Sequence, residues 1–361
     1  MIKVLYDNII FDLQYAGGIS KIWYNLINRI PSTFDMKYID KLESKNIFRK
    51  KIHLNPDNLI FEKDTFLKYK EYNKVLNNDC DIYHSSYFRP LKQKNKSKVV
   101  VTVHDFMYEK HGTFLAKINH LFLKNRCLKQ ADAVICVSDH TKQDFLNYYP
   151  KINENKVHVV HNGVDSEFRL IKKTNFFKIK DLDIKNEGYL LYVGNRGYCK
   201  NFEFALKLMT TKTVKNLDLV LICVGGGNFN NKELNFISNK LNNKIHFLDK
   251  VDSSDLNILY NHAFCLLFPS IYEGFGIPAL EAMKSGCPVW SSNSSSIPEV
   301  IGENYPFTFS PNNWDEANES FIKLLDPKLR ALSIKMGLKK SSEFSWNKCA
   351  QETFNIYKSL L

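Results

Sequence analysis

Short apolar runs alternate with amphipathic stretches from one end of this 361-residue chain to the other. Four to six apolar residues bounded by turn residues suit a parallel strand buried on both faces. Apolar residues three and four apart suit a helix laid against it. In the first half the strand-like runs are residues 2–6, 81–84, 99–104, 133–137 and 157–161. In the second they are 189–193, 217–224, 244–248, 263–268 and 288–291. This alternation predicts an α/β architecture of parallel sheets covered by helices. The length allows two domains with a core each, and the polar segment 168–187 separates the two strand series. A last amphipathic stretch, 346–361, carries Phe354, Tyr357 and Leu360 on one face.

The stretch richest in chemistry follows the apolar run 263–268. It reads Ser270-Ile-Tyr-Glu273-Gly274-Phe275-Gly276-Ile277-Pro278-Ala-Leu-Glu281-Ala-Met-Lys-Ser-Gly286-Cys-Pro288-Val. Gly274 and Gly276 permit positive φ and let a ligand approach the backbone. Pro278 suits the first helical position, where a missing N–H costs nothing. The amides of Phe275, Gly276 and Ile277 are then candidate donors to an anion at a helix start. Glu281 is expected in the first helical turn and Glu273 just before the loop. Both fall at the carboxyl end of a strand, where open α/β sheets bind ligands. Carboxylates there can accept hydrogen bonds from sugar hydroxyls. The plainer alternative is that the glycines only shape a turn and Glu281 only favours the helix start.

Three other strand ends carry candidates. After the run 189–193 comes Gly194-Asn-Arg196-Gly-Tyr-Cys-Lys200-Asn201, whose Arg196 and Lys200 can neutralise a diphosphate, Arg by bidentate contacts and Lys as a point charge. His104-Asp105 closes the run 99–104. After the first run, Gln14-Tyr-Ala-Gly17-Gly18-Ile-Ser-Lys21 opens an amphipathic helix. The dinucleotide fingerprint GxGxxG is absent there. Val224-Gly225-Gly226-Gly227 lacks its context too and reads as a turn after a strand of the second half, with a nucleotide contact as the alternative.

Net charge is +12, with +8 on residues 1–170 and +4 on the rest. Such a surface suits nucleic acid, an anionic membrane or phosphorylated substrates, or merely reflects a composition rich in Lys, Asn and Ile. No nucleic-acid module pattern is present. The basic stretch 92–98 reads as a solvated turn. Residues 115–130 place Leu115, Ile118, Leu121, Phe122 and Cys127 near one helical face, with Lys117, Lys124, Arg126 and Lys129 elsewhere. An ordinary surface helix and a membrane-docking helix both fit. Eight scattered cysteines without a CxxC pair argue against a disulfide framework or zinc site. No run is long enough to span a bilayer. The opening Met-Ile-Lys-Val-Leu-Tyr-Asp has no signal-peptide plan, so a cytoplasmic protein is expected, with peripheral contact at the inner face of the cytoplasmic membrane as the variant.

The 270–289 stretch resembles the signature E-G-F-G-x-P-x-L-E-A-M-x-x-G-x-P-V of family 4 of the retaining glycosyltransferases at every fixed position. Weaker similarities to that family lie at His104-Asp105, at His161-Asn162-Gly163-Val164-Asp165 and at Ser296-Ile-Pro298-Glu299-Val-Ile-Gly302. The resemblance implies the GT-B fold, two Rossmann-like domains facing a central cleft. Residues 1–170 would be acceptor-side and residues 171–344 would bind a nucleotide-sugar. Residues 345–361 would form a helix returning to the first domain. It implies transfer of a hexose from a GDP- or UDP-linked sugar, GDP-mannose being one guess, to a glycan or undecaprenyl-linked acceptor in bacterial surface polysaccharide synthesis (O-antigen or capsule). Arg196, Lys200 and the amides of Phe275, Gly276 and Ile277 would hold the departing diphosphate. Glu281 would hold the ribose and Glu273 the donor sugar. His104 would sit near the reaction centre, with Asp105 orienting its loop, and Gly17 and Gly18 would lie close to phosphate or acceptor. Neither a metal nor another cofactor is implied. Many members have Gly-Arg adjacent and a longer gap to the Lys than Arg196-Gly-Tyr-Cys-Lys200. Rival readings are a nucleotide-sugar epimerase or sugar phosphorylase on the same plan, a nucleic-acid binder, and a non-catalytic sugar-binding relative.

Overall fold

Two parallel sheets organise the chain in the computed structural model, which describes residues 1–62, 72, 80–92, 94, 96–180, 182–241 and 243–361. The first sheet contains β1 (Ile2–Asp7), β2 (Phe34–Lys41), β3 (Leu59–Glu62), β4 (Ile82–Ser85), β5 (Lys98–Val103), β6 (Ala133–Cys136) and β7 (Val157–Val159), in the order β3-β2-β1-β4-β5-β6-β7. A hairpin of β8 (Phe176–Ile179) and β9 (Leu182–Lys185) follows. The second sheet contains β10 (Tyr189–Val193), β11 (Val220–Val224), β12 (Ile245–Leu248), β13 (Cys265–Phe268), β14 (Val289–Ser292) and β15 (Thr308–Phe309), in the order β12-β11-β10-β13-β14-β15. Every pairing within these two sheets is parallel. In each sheet the order reverses beside its first strand, at β1–β4 and at β10–β13. Those reversals are the topological switch points of doubly wound sheets.

The chain divides into Met1–Gly163 with Ser345–Leu361, and Val164–Phe344. The division falls seven residues before the expected boundary after residue 170. The polar segment 168–187 is not a bare linker, since it holds β8 and β9; its Asp181 lies outside the described residues. So do Gln93 and Asn95 of the basic stretch 92–98, whose last residue, Lys98, already belongs to β5.

The predicted strand-like runs match β1, β4–β7 and β10–β14 within a few residues at their ends. β2, β3, β8, β9 and β15 are additions. β2 reads Phe34-Asp-Met-Lys-Tyr-Ile-Asp-Lys, where charges interrupt the apolar run. Phe34, Met36 and Tyr38 nonetheless alternate into the core, and the buried Asp40 pairs with Arg49 at 2.6 Å. All eight cysteines are free, and seven are buried.

The last helix, Trp346–Ser359, completes the core of the first unit. Trp346, Cys349, Phe354 and Tyr357 join Tyr6, Trp23, Phe34 and Tyr38 in one apolar cluster. Phe354 packs on Phe34 with ring centroids 5.2 Å apart. The Tyr357 hydroxyl lies 3.0 Å from that of Tyr6 and 2.5 Å from Nδ1 of His84, whose Nε2 meets Thr102 Oγ1 at 2.9 Å. Gly163 is required where this helix begins, because a Cβ there would stand 2.1 Å from the Trp346 amide nitrogen.

The helix Phe114–Leu128 departs from expectation. Its buried residues are His120, Leu123, Lys124, Cys127 and Leu128, while Leu115 is 78 % and Phe122 is 56 % exposed. Lys124, expected as an outward charge, is fully buried and pairs with Glu109 at 2.6 Å. That buried pair turns the helix away from its most apolar face.

Two outcomes follow. Phe354→Ala should cost about 3–5 kcal/mol by opening a cavity under β2, read from the shift of a urea unfolding midpoint. Burial holds the imidazoles of His84 and His104 near a pKa of about 3, against ~6.5 in an unfolded chain. The unfolded chain therefore takes up protons below pH 6.5 that the folded chain refuses. Stability from this source is complete above pH 6.5 and falls as the pH drops toward 3, by up to ~1.4 kcal/mol per pH unit for each histidine. Urea midpoints at pH 7.5 and 5 should show the fall, and His84→Asn, less stable overall, should show a shallower one.

Candidate functional site

At the switch point of the second sheet, the loops leaving β10 and β13 meet. The β10 loop is set by Tyr192, whose hydroxyl donates to the carbonyls of Asn195 (3.0 Å) and Lys200 (3.2 Å). Asn201 then takes the left-handed conformation (φ 54°) and turns the chain into the helix Phe202–Leu208. This directs Lys200 toward the β13 loop, where its Nζ lies 2.6 Å from both carboxylate oxygens of Glu273.

The β13 loop is stitched by a serine-rich segment that starts at the end of β14. Ser292 and Ser294 donate to the Ser270 carbonyl, and Ser294 also to that of Ile271. The Glu273 amide donates to Ser295 Oγ at 2.8 Å, and Ser296 Oγ reaches the carbonyls of Glu273 and Phe275 at 3.0 and 2.8 Å. Gly276 caps the next helix at φ 116°, a conformation that other residues rarely adopt. The amides of Gly276 and Ile277 stand at the helix start, where the helix itself supplies no acceptor. Phe275 turns its ring into the core against Phe344, so only its main chain faces the loop.

Two expectations about this helix are corrected. It runs Ile277–Lys284, so Pro278 is its second residue and Glu281 lies in its second turn. Glu281 is buried, and the Tyr260 hydroxyl donates to its Oε2 at 3.2 Å. Burial, with this carboxylate beside it, holds the Tyr260 phenol well above its ordinary pKa.

Arg196, four residues before Lys200, turns its guanidinium toward main-chain carbonyls. Its side chain is 5 % exposed, and its donors reach the carbonyls of Gly225 (3.0 Å), Gly226 (3.3 Å), Gly227 (2.5 Å) and Asn228 (2.6 Å). Its Cζ lies 4.7 Å from the Phe229 ring centroid, and Glu233 stands 3.4 Å away. Three consecutive left-handed glycines (φ 82°, 81° and 72°) let those carbonyls converge. In this structure Arg196 organises the Gly225–Gly227 turn. A cavity of about 560 Å³ opens beside Arg196 along the helix Phe202–Leu208, and neither Lys200, Glu273 nor Glu281 lines it.

The first sheet has its own cluster, at the carboxyl ends of β1, β4 and β5. His104 follows β5, and its buried Nδ1 has no hydrogen-bond partner among the described residues. Burial, with Lys124 adding to it, pushes its pKa down to about 3, so the ring is uncharged at neutral pH. Asp105 accepts from the Met107 amide at 2.9 Å and so shapes its own turn. Gly17 is extended (φ 174°), and Gly18 opens the helix Gly18–Ile27. A Cβ on Gly17 would strike Gln14 Oε1 at 2.5 Å. Gln14, His104 and Asp105 line a pocket of about 250 Å³.

Sequence reasoning missed Tyr192, Tyr260 and the serines. The one available signal was Ser291-Ser-Asn-Ser-Ser-Ser296, a hydroxyl-dense run at the end of a buried strand. The observed set combines a cation, a bare helix start and two carboxylates. It can take an anion together with a polyhydroxylated group.

Comparison with known proteins agrees with this layout. The family profile described as Glycosyl transferases group 1 matches residues 174–339, and that of Glycosyltransferase Family 4 matches residues 34–168. The chain is 34 % identical over 178 residues to O-antigen chain mannosyltransferase B of Escherichia coli, covering 48 % of this chain and 46 % of that protein. It is 29 % identical over 231 residues to O-antigen chain mannosyltransferase RfbU of Salmonella typhimurium, covering 63 % and 61 %. It thus spans about half to three fifths of the length of these relatives. Among solved structures, sucrose-phosphate synthase of Thermosynechococcus elongatus superposes with a TM-score of 0.76 at 17 % identity, covering 100 % of this chain and 99 % of that one. WaaG, a glycosyltransferase involved in lipopolysaccharide biosynthesis, gives 0.72 at 14 %, covering 98 % and 99 %. The α/β fold in two Rossmann-like halves is therefore that of solved glycosyltransferases. With both halves matched by their profiles, this chain belongs to the group 1 glycosyltransferases of the family 4 type.

Proposed function

We propose that the chain is a retaining transferase that moves a hexose from a nucleotide-sugar to a glycan or lipid-linked acceptor in bacterial surface polysaccharide synthesis. One observation carries this reading: Lys200, Glu273 and the Gly276-capped helix start share the switch point of the second sheet. The mannosyltransferase names of the relatives make GDP-mannose the first donor to test. A solved structural neighbour bound to UDP-glucose makes a UDP-sugar the second.

In this reading the donor diphosphate takes Lys200 over from Glu273 and is also held by the amides of Gly276 and Ile277. Glu273, released, accepts from the donor sugar's hydroxyls, and Glu281 from those of the ribose. As the bond from sugar C1 to the phosphate oxygen breaks, the acceptor oxygen bonds to C1 on the same face. The acceptor's proton passes to the departing phosphate. Preorganised positive charge at the leaving group supplies the main stabilisation. Arg196 acts as a positioning residue through the Gly225–Gly227 turn. His104, uncharged, offers hydrogen bonds to a sugar hydroxyl. No metal is called for, because Lys200 and the helix start already serve the diphosphate. Among the described residues no helix is long and apolar enough to cross a membrane. Peripheral contact with an anionic membrane would use the exposed Leu115, Ile118 and Phe122, with Lys117 and Arg126 nearby.

Purified chain incubated with GDP-mannose or UDP-glucose should release nucleoside diphosphate only when a glycan acceptor is added, and EDTA should leave the rate unchanged. Release driven by inorganic phosphate would point to a phosphorylase, and accumulation of an epimeric nucleotide-sugar to an epimerase. Glu281→Ala should weaken donor binding about 10-fold or more in a thermal-shift titration, the worth of a hydrogen bond to a charged group. Unchanged donor affinity in that variant would remove Glu281 from the site.

A further inference from the structure

The cavity of about 560 Å³ along the helix Phe202–Leu208 lies wholly within the second unit. Its volume falls in the ~300–1,000 Å³ range of small-ligand sites. The neighbouring helix, Asn231–Lys240, buries none of its ten residues, so the seam between the two helices stays open. Much of the lining is aromatic. Phe202 and Phe204 are buried, and Trp314 packs on Phe204 with ring centroids 4.4 Å apart while keeping 39 % of its surface exposed. The 73 % exposed ring of Tyr198 lines the cavity as well.

The polar groups of the wall are of two kinds. Its charges pair among themselves. Lys232 Nζ lies 3.1 Å and Lys207 Nζ 3.4 Å from Glu203, and Arg196 lies 3.4 Å from Glu233. Among the described residues the wall therefore offers a phosphate no unpaired cation, and a neutral ligand suits it better. The other kind is an amide pair. Asn201 and Asn312 are both left-handed, at φ 54° and 63°, and Asn201 Nδ2 donates to Asn312 Oδ1 at 3.1 Å. That bond engages one N–H and one lone pair. Whichever way the two amides are turned, the pair keeps a carbonyl and an N–H to offer the cavity. A sugar hydroxyl both donates and accepts, so neighbouring hydroxyls match such a pair. The C–H face of a sugar ring matches the flat apolar face of Trp or Tyr. Lys200 and Asn201 are consecutive, and the left-handed turn parts them: the lysine meets Glu273, and the asparagine lines this cavity. Since neither Lys200, Glu273 nor Glu281 lines it, a sugar held here is not the one transferred.

We propose that this cavity is a second carbohydrate site, which holds a neutral glycan segment apart from the transferred sugar. Asn201 and Asn312 bond its hydroxyls, and Trp314 and Tyr198 cover its C–H faces. Naming a glycan as the ligand rests on the transferase reading above, whereas the neutral, polyhydroxylated chemistry rests on the cavity itself.

Mannotriose and maltotriose, two neutral oligosaccharides, are the probes, with GMP as the nucleotide control and GDP-mannose measured separately. Asn312→Gly removes one amide at a position where glycine takes a positive φ without strain. Trp314→Leu removes the aromatic face and keeps an apolar group against Phe204; if that variant does not fold, Asn312→Gly alone carries the test. By titration NMR the wild-type chain should bind at least one trisaccharide. Each variant should weaken that binding about 5-fold and leave GDP-mannose affinity unchanged, a split that general loosening would not produce. Binding of neither trisaccharide, or an affinity that Asn312→Gly leaves unaltered, would overturn the site. So would GMP binding that Asn312→Gly weakens, which would make the cavity a nucleoside pocket. Trisaccharide binding as predicted, with no transfer from any nucleotide-sugar, would instead sink the transferase reading and leave the cavity assignment standing.

Discussion

The candidate donor site depends on how the carbonyls of the loop after β13 are satisfied. Buried main-chain groups need partners, and an irregular loop cannot supply them from within itself. Here the hydroxyls of Ser292, Ser294 and Ser296 take the carbonyls of Ser270, Ile271, Glu273 and Phe275. Ser295 takes the Glu273 amide. With these groups paired, the loop holds one shape. Gly276 can then turn left-handed, and Glu273 is presented to Lys200. Small side chains suit the task because a hydroxyl on a single carbon reaches a neighbouring carbonyl at little conformational cost.

The fold was largely legible in the sequence, and the reason is physical. Parallel strands covered on both faces must be apolar along their whole length, so β1, β5 and β10 announce themselves. β2 did not, because Asp35, Lys37 and Asp40 break its run and only its alternation carries the signal. The loop motif was legible because Gly276 and Pro278 act through backbone geometry, which depends little on distant residues. The carbonyl contacts of Arg196 were not legible, for the opposite reason. A guanidinium can meet a ligand or a set of carbonyls, and only the folded chain shows that Gly225–Gly227 lie within its reach. The same holds for Lys124, whose buried partner Glu109 sits on a different helix.

The two buried lysine–glutamate contacts differ in what they do. Lys200 and Glu273 face each other as a simple pair at a strand end, where a stronger anion can compete for the lysine. Lys124 and Glu109 are embedded with His120 in a chain of hydrogen bonds, and the lysine is also 3.8 Å from the Phe106 ring centroid. Exchange is cheap for the first pair and costly for the second, because a charge left alone in the interior is strongly penalised. One arrangement suits a group that changes partner during a cycle. The other suits a fixed frame.

The position of the last helix has a consequence for biogenesis. Residues 1–163 build a sheet whose apolar face is closed by Trp346, Phe354 and Tyr357. On a ribosome the first unit therefore emerges with part of its core uncovered, and the whole of Val164–Phe344 is made before the cover arrives. Domains that fold as units ordinarily do so in the order of synthesis. In this chain the second unit can reach a complete core first, and the unit made earliest is the last to be finished.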